Sequence, residues 1–308
     1  MSLASLNAVI NTGAKVVICA KPWAENLLAA YTKKSDIEFL ALSGQWRDDA
    51  QKIRDYRKST PVPHKEVALS IPDSLTAALM FKFAGLPCAG YKDDGRSLLL
   101  RWPVTKIKPR PHNVISWHHL TRIALGYWGF SCAAQPNQRI LLPFTDEHIA
   151  EKNVYMSQHE LKSNGFIVIA PTAGGLHHGK SKVWPDYEKL TQAFQRLGHR
   201  VIMCPPPNEI NQARNNAMSA ELLPPLALGP FTALLNEAAL VICNDSGVSH
   251  LSAAATAKQI TLIGVSEIEH TGPWSTSALT LGEIGRWSTL DEVLSTAEGI
   301  LQHKARPN

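Results

Sequence analysis

Short apolar runs alternate with segments of helical periodicity along the second half of the chain. The runs GFIVIAP, HRVIMCPPP, ALVICN and KQITLIGV predict buried strands, because consecutive apolar positions are typical of a parallel sheet covered on both faces. The segments between them, DYEKLTQAFQRLG, LGPFTALLNEA and SHLSAAATA, have the pattern of helices. This alternation predicts an α/β fold with a doubly wound parallel sheet.

The first half shows a similar but weaker alternation. KVVICA, IEFLAL and EVALSI predict strands, KPWAENLLAAYTKKS predicts a loop that runs into a helix, and residues 86–91 predict another short strand. From residue 105 to residue 163 the pattern is weaker. We expect a helix around residues 118–128 and a loop or interdomain stretch with mixed helix over residues 144–164.

Length and composition set limits on this picture. At 308 residues the chain exceeds the usual size of one domain, so we expect two Rossmann-like domains, over residues 1–155 and 156–308. With 44% hydrophobic and 19% charged residues, the composition is that of a folded globular protein. The net charge of +5 suits an anionic ligand or membrane surface, whereas the scattered basic residues argue against a nucleic-acid partner.

The cysteines and the N-terminal segment bear on location. The five cysteines are far apart, without the spacing of a metal site, and indicate free thiols in a reducing compartment: Cys19, Cys88, Cys132, Cys204 and Cys243. The N-terminal segment lacks the basic start and long apolar core of a secretory signal. No run approaches the roughly 18 to 20 apolar residues of a membrane span. We therefore expect a cytoplasmic protein.

Candidate chemistry concentrates in the turn NDSGVSH, between the strand ALVICN and the helix that follows it. A helix start presents unpaired N–H groups and the positive end of the helix dipole, and Gly247 keeps side-chain bulk away from an anion. A phosphate could bind there. The turn is equally explained by capping, with Asp245 or Ser246 bonding the first helical turn and Gly247 permitting the bend.

Several spaced motifs together resemble glycosyltransferase family 9, the bacterial lipopolysaccharide heptosyltransferases. They are SKVWP after a strand that ends in AP, then NDSGVSH, then TLIGVSEIEHTGPW. The first half agrees through LSIPDSLTAALMFKFAGLPCAGYKDDGRSLLLRWPV, which is similar to the family segment of a strand, a Ser-containing helix and a Gly-Tyr element before a basic stretch. The resemblance is strongest over residues 165–275.

The resemblance implies the GT-B fold, in which two Rossmann-like domains face each other across a cleft. Residues 1–155 would then be the acceptor-side domain and residues 156–308 the domain that binds the nucleotide sugar. The family's usual donor is ADP-heptose, its reaction inverts the anomeric centre, and it needs no metal or other cofactor. Without a metal ion, backbone N–H groups, a helix dipole and cationic side chains must stabilise the departing diphosphate.

The family motifs also imply roles for individual residues. Lys182 matches the lysine that faces the donor diphosphate, and Asp245 matches an aspartate near the sugar hydroxyls. His250 matches the motif histidine, which would reach the diphosphate or orient Asp245. Glu209 is expected at the ribose. The remaining donor-side candidates are Thr172, Ala173, Gly174, Ser246, Gly247, Val248, Thr271 and Gly272, the last two in an expected loop over the phosphate.

One position departs from the family pattern. The loop after the first strand should carry Gly-Asp, whose aspartate is the general base, but Glu25 and Asn26 stand there. Asn26 cannot act as a base because an amide has no proton-accepting state at neutral pH. A one-residue shift of the loop would let Glu25 serve; otherwise the base is Asp73 or a nearby histidine, or activity is lost. An active transferase and a weakened, binding-only accessory protein therefore both stay open.

The acceptor is expected to be an inner-core lipopolysaccharide sugar or a related glycan or glycolipid. Five cations offer a wall for an anionic acceptor or else a solvated face: Arg96, Arg101, Lys106, Lys108 and Arg110. The same charges would suit peripheral contact with the anionic inner face of the cytoplasmic membrane. The adjacent His177 and His178 do not make a metal site, since zinc needs further convergent ligands.

Overall fold

Two units divide the chain, residues 1–137 and 138–308. The computed structural model describes residues 1–34, 36–177 and 179–302. The division falls earlier than the boundary between residues 155 and 156 expected from the sequence. It does so because a helix over Asp146–Gln158, where a loop with mixed helix was expected, packs against the second unit.

The first unit contains two parallel sheets. β1 (Val16–Ala20) pairs with β2 (Ile37–Ala41), and β3 (Ala68–Leu69), β4 (Cys88–Tyr91) and β5 (Trp102–Val104) form the other sheet in that order. The helices are α1 (Leu3–Ile10), α2 (Trp23–Leu27), α3 (Ala29–Thr32), α4 (Trp46–Ser59), α5 (Leu75–Phe83) and α6 (Asn113–Tyr127). The predicted loop after β1 is thus largely the short helix α2.

The second unit is built on one six-stranded parallel sheet and a small antiparallel hairpin. In chain order its strands are β6 (Phe166–Ala170), β7 (Leu176–His177), β8 (Lys180–Ser181), β9 (Arg200–Met203), β10 (Glu221–Leu222), β11 (Leu240–Asn244), β12 (Gln259–Leu262) and β13 (Ala278–Leu281). β7 and β8 form the hairpin. The helices are α7 (Asp146–Gln158), α8 (Tyr187–Arg196), α9 (Ile210–Asn216), α10 (Leu228–Glu237), α11 (Gly247–Ala254), α12 (Ile268–Thr271) and α13 (Leu290–Gln302).

The order of the six strands is β10-β9-β6-β11-β12-β13. Counted from β6 along the chain, this is the 3-2-1-4-5-6 order of a doubly wound dinucleotide-binding sheet. The order reverses between β6 and β11, which pair in parallel up to Ala170 and Cys243. In such sheets ligands bind beyond the carboxyl ends of the strands at this reversal.

Both faces of the central strands are buried, which explains their unbroken apolar runs. Along β6, Ile167 and Ile169 face a core shared with α8 and α13, whereas Phe166 and Val168 face a core shared with α7 and α10. All residues of β6 and β11 are buried. The predicted buried strands of the second half are confirmed. The exposed β13 and the two-residue β10 lack this signal and were not predicted.

Helix α7 begins with a capping box in which histidine takes the usual place of glutamate. The Thr145 hydroxyl accepts a bond from the His148 N–H, and the His148 ring accepts one from the Thr145 N–H. The helix then contacts α10, where Lys152 Nζ lies 2.5 Å from Glu237 Oε1. A Cβ on Gly229 would lie 2.4 Å from the His148 ring, so only glycine permits this approach.

All five cysteines are free, as their spacing predicts. Among the described residues, no helix is long and apolar enough to cross a membrane.

The Lys152–Glu237 ion pair makes a testable contribution to stability. Glu237→Gln leaves Lys152, whose side chain is only 9% exposed, without a counter-charge. We expect the free energy of unfolding to fall by about 1–3 kcal/mol near neutral pH, since the pair is partly exposed. Glu221→Gln, which breaks an exposed pair with Arg200, is the control and should cost less.

The pH dependence of this effect follows from the Glu237 pKa. The hydrogen bond from Lys152 holds that pKa below its ordinary value against the opposing effect of burial. The pair therefore stabilises the fold above the unfolded carboxyl pKa and loses this effect as the pH falls through the folded pKa. Urea unfolding should show the stabilities of the wild type and Glu237→Gln converging as the pH falls below the ordinary carboxyl pKa and through the lowered pKa of Glu237. Equal stability of the two proteins near neutral pH would contradict the assignment.

Candidate functional site

The carboxyl ends of β6, β11 and β12 lie side by side at one edge of the sheet, at and beside the reversal of strand order. The side chain of Asn244, fully buried, joins the segments that leave this edge. Its Nδ2 donates to the carbonyls of Ala170 (3.2 Å) and Thr172 (3.1 Å), and its Oδ1 accepts from the Trp184 N–H (2.9 Å). Residues far apart in sequence therefore meet at a predicted ligand-binding position.

Helix α11 starts at this edge without a side-chain cap. Ser246 occupies the N-cap position, but its hydroxyl makes no capping bond and, among the described residues, has no hydrogen-bond partner. The suggestion that Ser246 caps the helix is therefore wrong, and the first turn's positive end stays open for an anion. Gly247 is exposed, and a Cβ there would meet nothing within 4 Å. Val248 follows it in the first turn.

Lys182 and Asp245 form an ion pair beside this helix start. Lys182 Nζ lies 3.4 Å from Asp245 Oδ2, and the two side chains are 23% and 7% exposed. Lys182 follows β8, and its segment is anchored by Trp184, whose buried indole N–H donates to the Ser288 carbonyl at 2.8 Å. A cation, a carboxylate and an uncapped helix start can together bind a ligand that carries both phosphate and hydroxyl groups.

The loop after β6 brings further predicted residues to the same edge. The Thr172 hydroxyl donates to Glu209 Oε2 at 2.5 Å, so the residue expected at the ribose contacts the strand-end loop. Thr172 and Ala173 are buried, whereas Gly174 is exposed. Asn216 Nδ2 donates to the Pro171 carbonyl at 2.7 Å. The loop is thus held by polar side chains from three elements.

The last two donor-side candidates, Thr271 and Gly272, use their N–H groups in hydrogen bonds at the end of a short helix. Thr271 ends the short helix α12, and its N–H and hydroxyl both bond the Glu267 carbonyl, while the Gly272 N–H bonds the Ile268 carbonyl. The expected loop over the phosphate is therefore a helix end that does not offer these N–H groups.

His250 lies half-buried in the first turn of α11. His178 lies outside the described residues.

In the first unit, Glu25 and Asn26 both lie on helix α2, just after β1. Glu25 is exposed and Asn26 is half-buried. Successive residues of a helix point about 100° apart, so Glu25 and Asn26 face different directions from α2. The small loop shift suggested by the sequence would therefore not bring Glu25 into the place of Asn26. Glu25 can act as a base only for an acceptor on the side of α2 that Glu25 itself faces.

Asp73, the alternative base, is bound by two cations, Arg96 and Lys106. Burial raises the pKa of its carboxyl, but hydrogen bonds from Lys106 and Arg96 outweigh burial and hold that pKa below its ordinary value. A carboxylate so stabilised is a poor proton acceptor. Asp73 is therefore not suited to the role of general base.

The ion pairs around Asp73 also reduce the number of cations available in the expected wall of five. Arg96 is buried and Lys106 pairs with Asp73 and Asp93, so both cations are already neutralised. The exposed cations of the segment are Arg101, Lys108 and Arg110.

The chain is similar to known proteins in sequence and in fold. The model of the family described as glycosyltransferase family 9 (heptosyltransferase) matches residues 63–298. A lipooligosaccharide heptosyltransferase 2 from Haemophilus influenzae is 25% identical over an alignment 228 residues long, which covers 69% of this chain and 64% of that protein. The chain thus covers less than two thirds of this relative's length.

The chain is also similar to solved structures over nearly its whole length. The E. coli ADP-heptose LPS heptosyltransferase II has a TM-score of 0.73 at 20% identity, covering 99% of this chain and 95% of that one. An E. coli heptosyltransferase solved with ADP has a TM-score of 0.71 at 17% identity, with 97% and 95% covered. A family 9 glycosyl transferase from Veillonella parvula has a TM-score of 0.71 at 14% identity, with 94% and 97% covered. These similarities confirm the predicted GT-B fold class.

Sequence reasoning missed Asn244 and Asn216 as parts of this site. Asn244 could have been found from the sequence, because it is the polar last residue of a strand that is otherwise apolar and buried. Such a side chain needs hydrogen-bond partners. Asn216 could not have been found, since it ends a short helix whose place beside the loop depends on the tertiary fold.

Proposed function

Because the chain belongs to glycosyltransferase family 9, we propose that it transfers heptose from ADP-heptose to a sugar hydroxyl. The acceptor in this proposal is an inner-core lipopolysaccharide sugar or a related glycan or glycolipid. The reaction inverts the anomeric centre, because the acceptor oxygen attacks the anomeric carbon from the face opposite the diphosphate. The bond from that carbon to the diphosphate oxygen breaks in the same step, and ADP leaves. The proposal places the reaction in the cytoplasm, with the exposed cations Arg101, Lys108 and Arg110 available to an anionic acceptor or to the inner membrane face.

The observation that carries the proposal is the Lys182–Asp245 pair beside the uncapped start of α11. When the donor binds, Lys182 and the helix N–H groups would stabilise the charge that develops on the departing diphosphate. Asp245 would accept hydrogen bonds from the sugar hydroxyls. In this proposal these groups supply the stabilisation of the leaving group, and no metal ion or other cofactor is required.

A general base on the acceptor side completes the proposal. Glu25 is the candidate, because Asn26 cannot accept a proton and Asp73 is bound by Arg96 and Lys106. The specific observation of an amide at Asn26 also supports a second candidate function: a weakened family member that binds a nucleotide sugar or glycan as an accessory protein.

Turnover separates the two candidates. The purified protein is incubated with ADP-heptose and a lipopolysaccharide inner-core acceptor, and release of ADP and mass of the acceptor are measured, with binding of ADP-heptose followed by calorimetry. We expect binding together with transfer of one heptose. Binding without turnover on any inner-core acceptor would favour the accessory protein, and absence of binding to both ADP-heptose and the inner-core acceptor would contradict both.

Lys182→Ala tests the diphosphate site. We expect the dissociation constant of ADP-heptose to rise at least about tenfold, about 1.4 kcal/mol, because the variant removes a cation and leaves the buried Asp245 charge facing the phosphates. The matched control is Lys189→Ala, which removes an exposed lysine of the same region that pairs with Asp186. Equal affinity of Lys182→Ala and the control would remove Lys182 from the diphosphate role.

Glu25→Gln tests the general base. We expect kcat to fall about 100-fold while the affinity for ADP-heptose is unchanged, because a base acts in the transition state and does not contact the diphosphate. Asn26→Asp is the companion variant and should not exceed the wild-type rate. The assignment fails if Glu25→Gln retains its rate while Asn26→Asp turns over faster.

A further inference from the structure

Asn244 has a hydrogen-bonding environment that only an amide satisfies. Two of its partners, the carbonyls of Ala170 and Thr172, accept hydrogen bonds, and the third, the Trp184 N–H, donates one. An aspartate has no donor for the carbonyls, and a serine has a single donor and a shorter reach. The residue is also fully buried, so solvent does not replace any lost partner.

These bonds take over where the backbone ladder ends. On its β6 side, β11 pairs no further than Cys243 with Ala170, while the Asn244 backbone pairs with Leu262 of β12. At this end of the ladder, the Asn244 side chain also donates to the Ala170 and Thr172 carbonyls. The amide therefore bridges the two central strands at the reversal of strand order, where the loop that carries Thr172, Ala173 and Gly174 departs.

The same side chain links the segments that carry the ion pair. Asn244 immediately precedes Asp245, and Trp184 follows Lys182 by two residues. The bond from the Trp184 N–H to Asn244 Oδ1 thus ties the lysine segment to the aspartate segment next to the pair itself. The Trp184 indole bond to Ser288 restrains the same segment from its other side.

We infer that Asn244 is a positioning residue for the donor site: it sets the Lys182–Asp245 geometry and holds the Thr172 loop, without touching the donor. The inference rests on the proposed function for the identity of the ligand. Small displacements in such a site reduce affinity and rate strongly, because oriented charges act only at the correct distance.

The test compares Asn244→Leu with Tyr155→Phe, a control in the same unit. Tyr155 is buried on α7, and its hydroxyl donates to the Pro224 carbonyl at 2.6 Å, on segments other than those of Lys182, Asp245 and Thr172. Both variants remove a buried hydrogen-bond donor to a backbone carbonyl, so both should lower the melting temperature. Only Asn244→Leu removes the acceptor of the Trp184 N–H.

Three quantities are measured: melting temperature, hydrogen exchange of the peptide containing the Trp184 amide, and the dissociation constant of ADP. For Asn244→Leu we expect exchange and the ADP dissociation constant each to rise at least about tenfold, while Tyr155→Phe leaves both within about twofold of the wild type. If the two variants lose the same stability and the same ADP affinity, Asn244 has only a structural role and the inference is overturned. Unchanged exchange at Trp184 would also overturn it.

Two further comparisons apply if Asn244→Leu does not fold or if the wild type does not bind ADP. If Asn244→Leu does not fold, Asn244→Ser retains one donor and should give intermediate increases in exchange and ADP dissociation constant; wild-type values for both would overturn the inference. If the wild type does not bind ADP, the proposed function fails, and exchange at Trp184 in the variant still decides whether Asn244 holds the lysine segment.

Discussion

The reversal of strand order between β6 and β11 is the constraint on which the second unit depends. The register between these strands ends at Ala170 and Cys243, and the buried chain that leaves β6 there needs hydrogen-bond donors for its carbonyls. The Asn244 side chain donates to the Ala170 and Thr172 carbonyls and accepts a bond from the Trp184 N–H as well. The features of the candidate site start from this place: the loop after β6, the segment of Lys182, and helix α11.

Much of this arrangement could be predicted because burial leaves a strong imprint on sequence. Central parallel strands are apolar on both faces, so β6, β9, β11 and β12 appear as unbroken runs. Parallel topology then brings their carboxyl ends to one edge, so the nearness of Lys182 and Asp245, 63 positions apart in sequence, follows from the order of elements.

The rest depended on contacts that no local pattern encodes. The sequence predicts a loop with mixed helix at α7 because most of its residues are polar and only a few are buried, which leaves a weak helical pattern. Its capping box is also unusual, with His148 in the place of glutamate. Arg96 and Lys106 belong to a charged stretch that resembles a solvated or ligand-binding face, and only the tertiary fold places Asp73 between them. Residues Glu25 and Asn26 were read as a loop because α2 is barely longer than one turn.

The ion pair of Lys182 with Asp245 has a consequence for the end of the catalytic cycle in the proposed function. Under that proposal, a nucleotide sugar would replace the pair, with its phosphates at Lys182 and its sugar hydroxyls at Asp245. After transfer, ADP would still contact the lysine but would leave the Asp245 carboxylate, only 7% exposed, without its sugar partners. Re-forming the ion pair would then compete with ADP for Lys182 and favour release of the product.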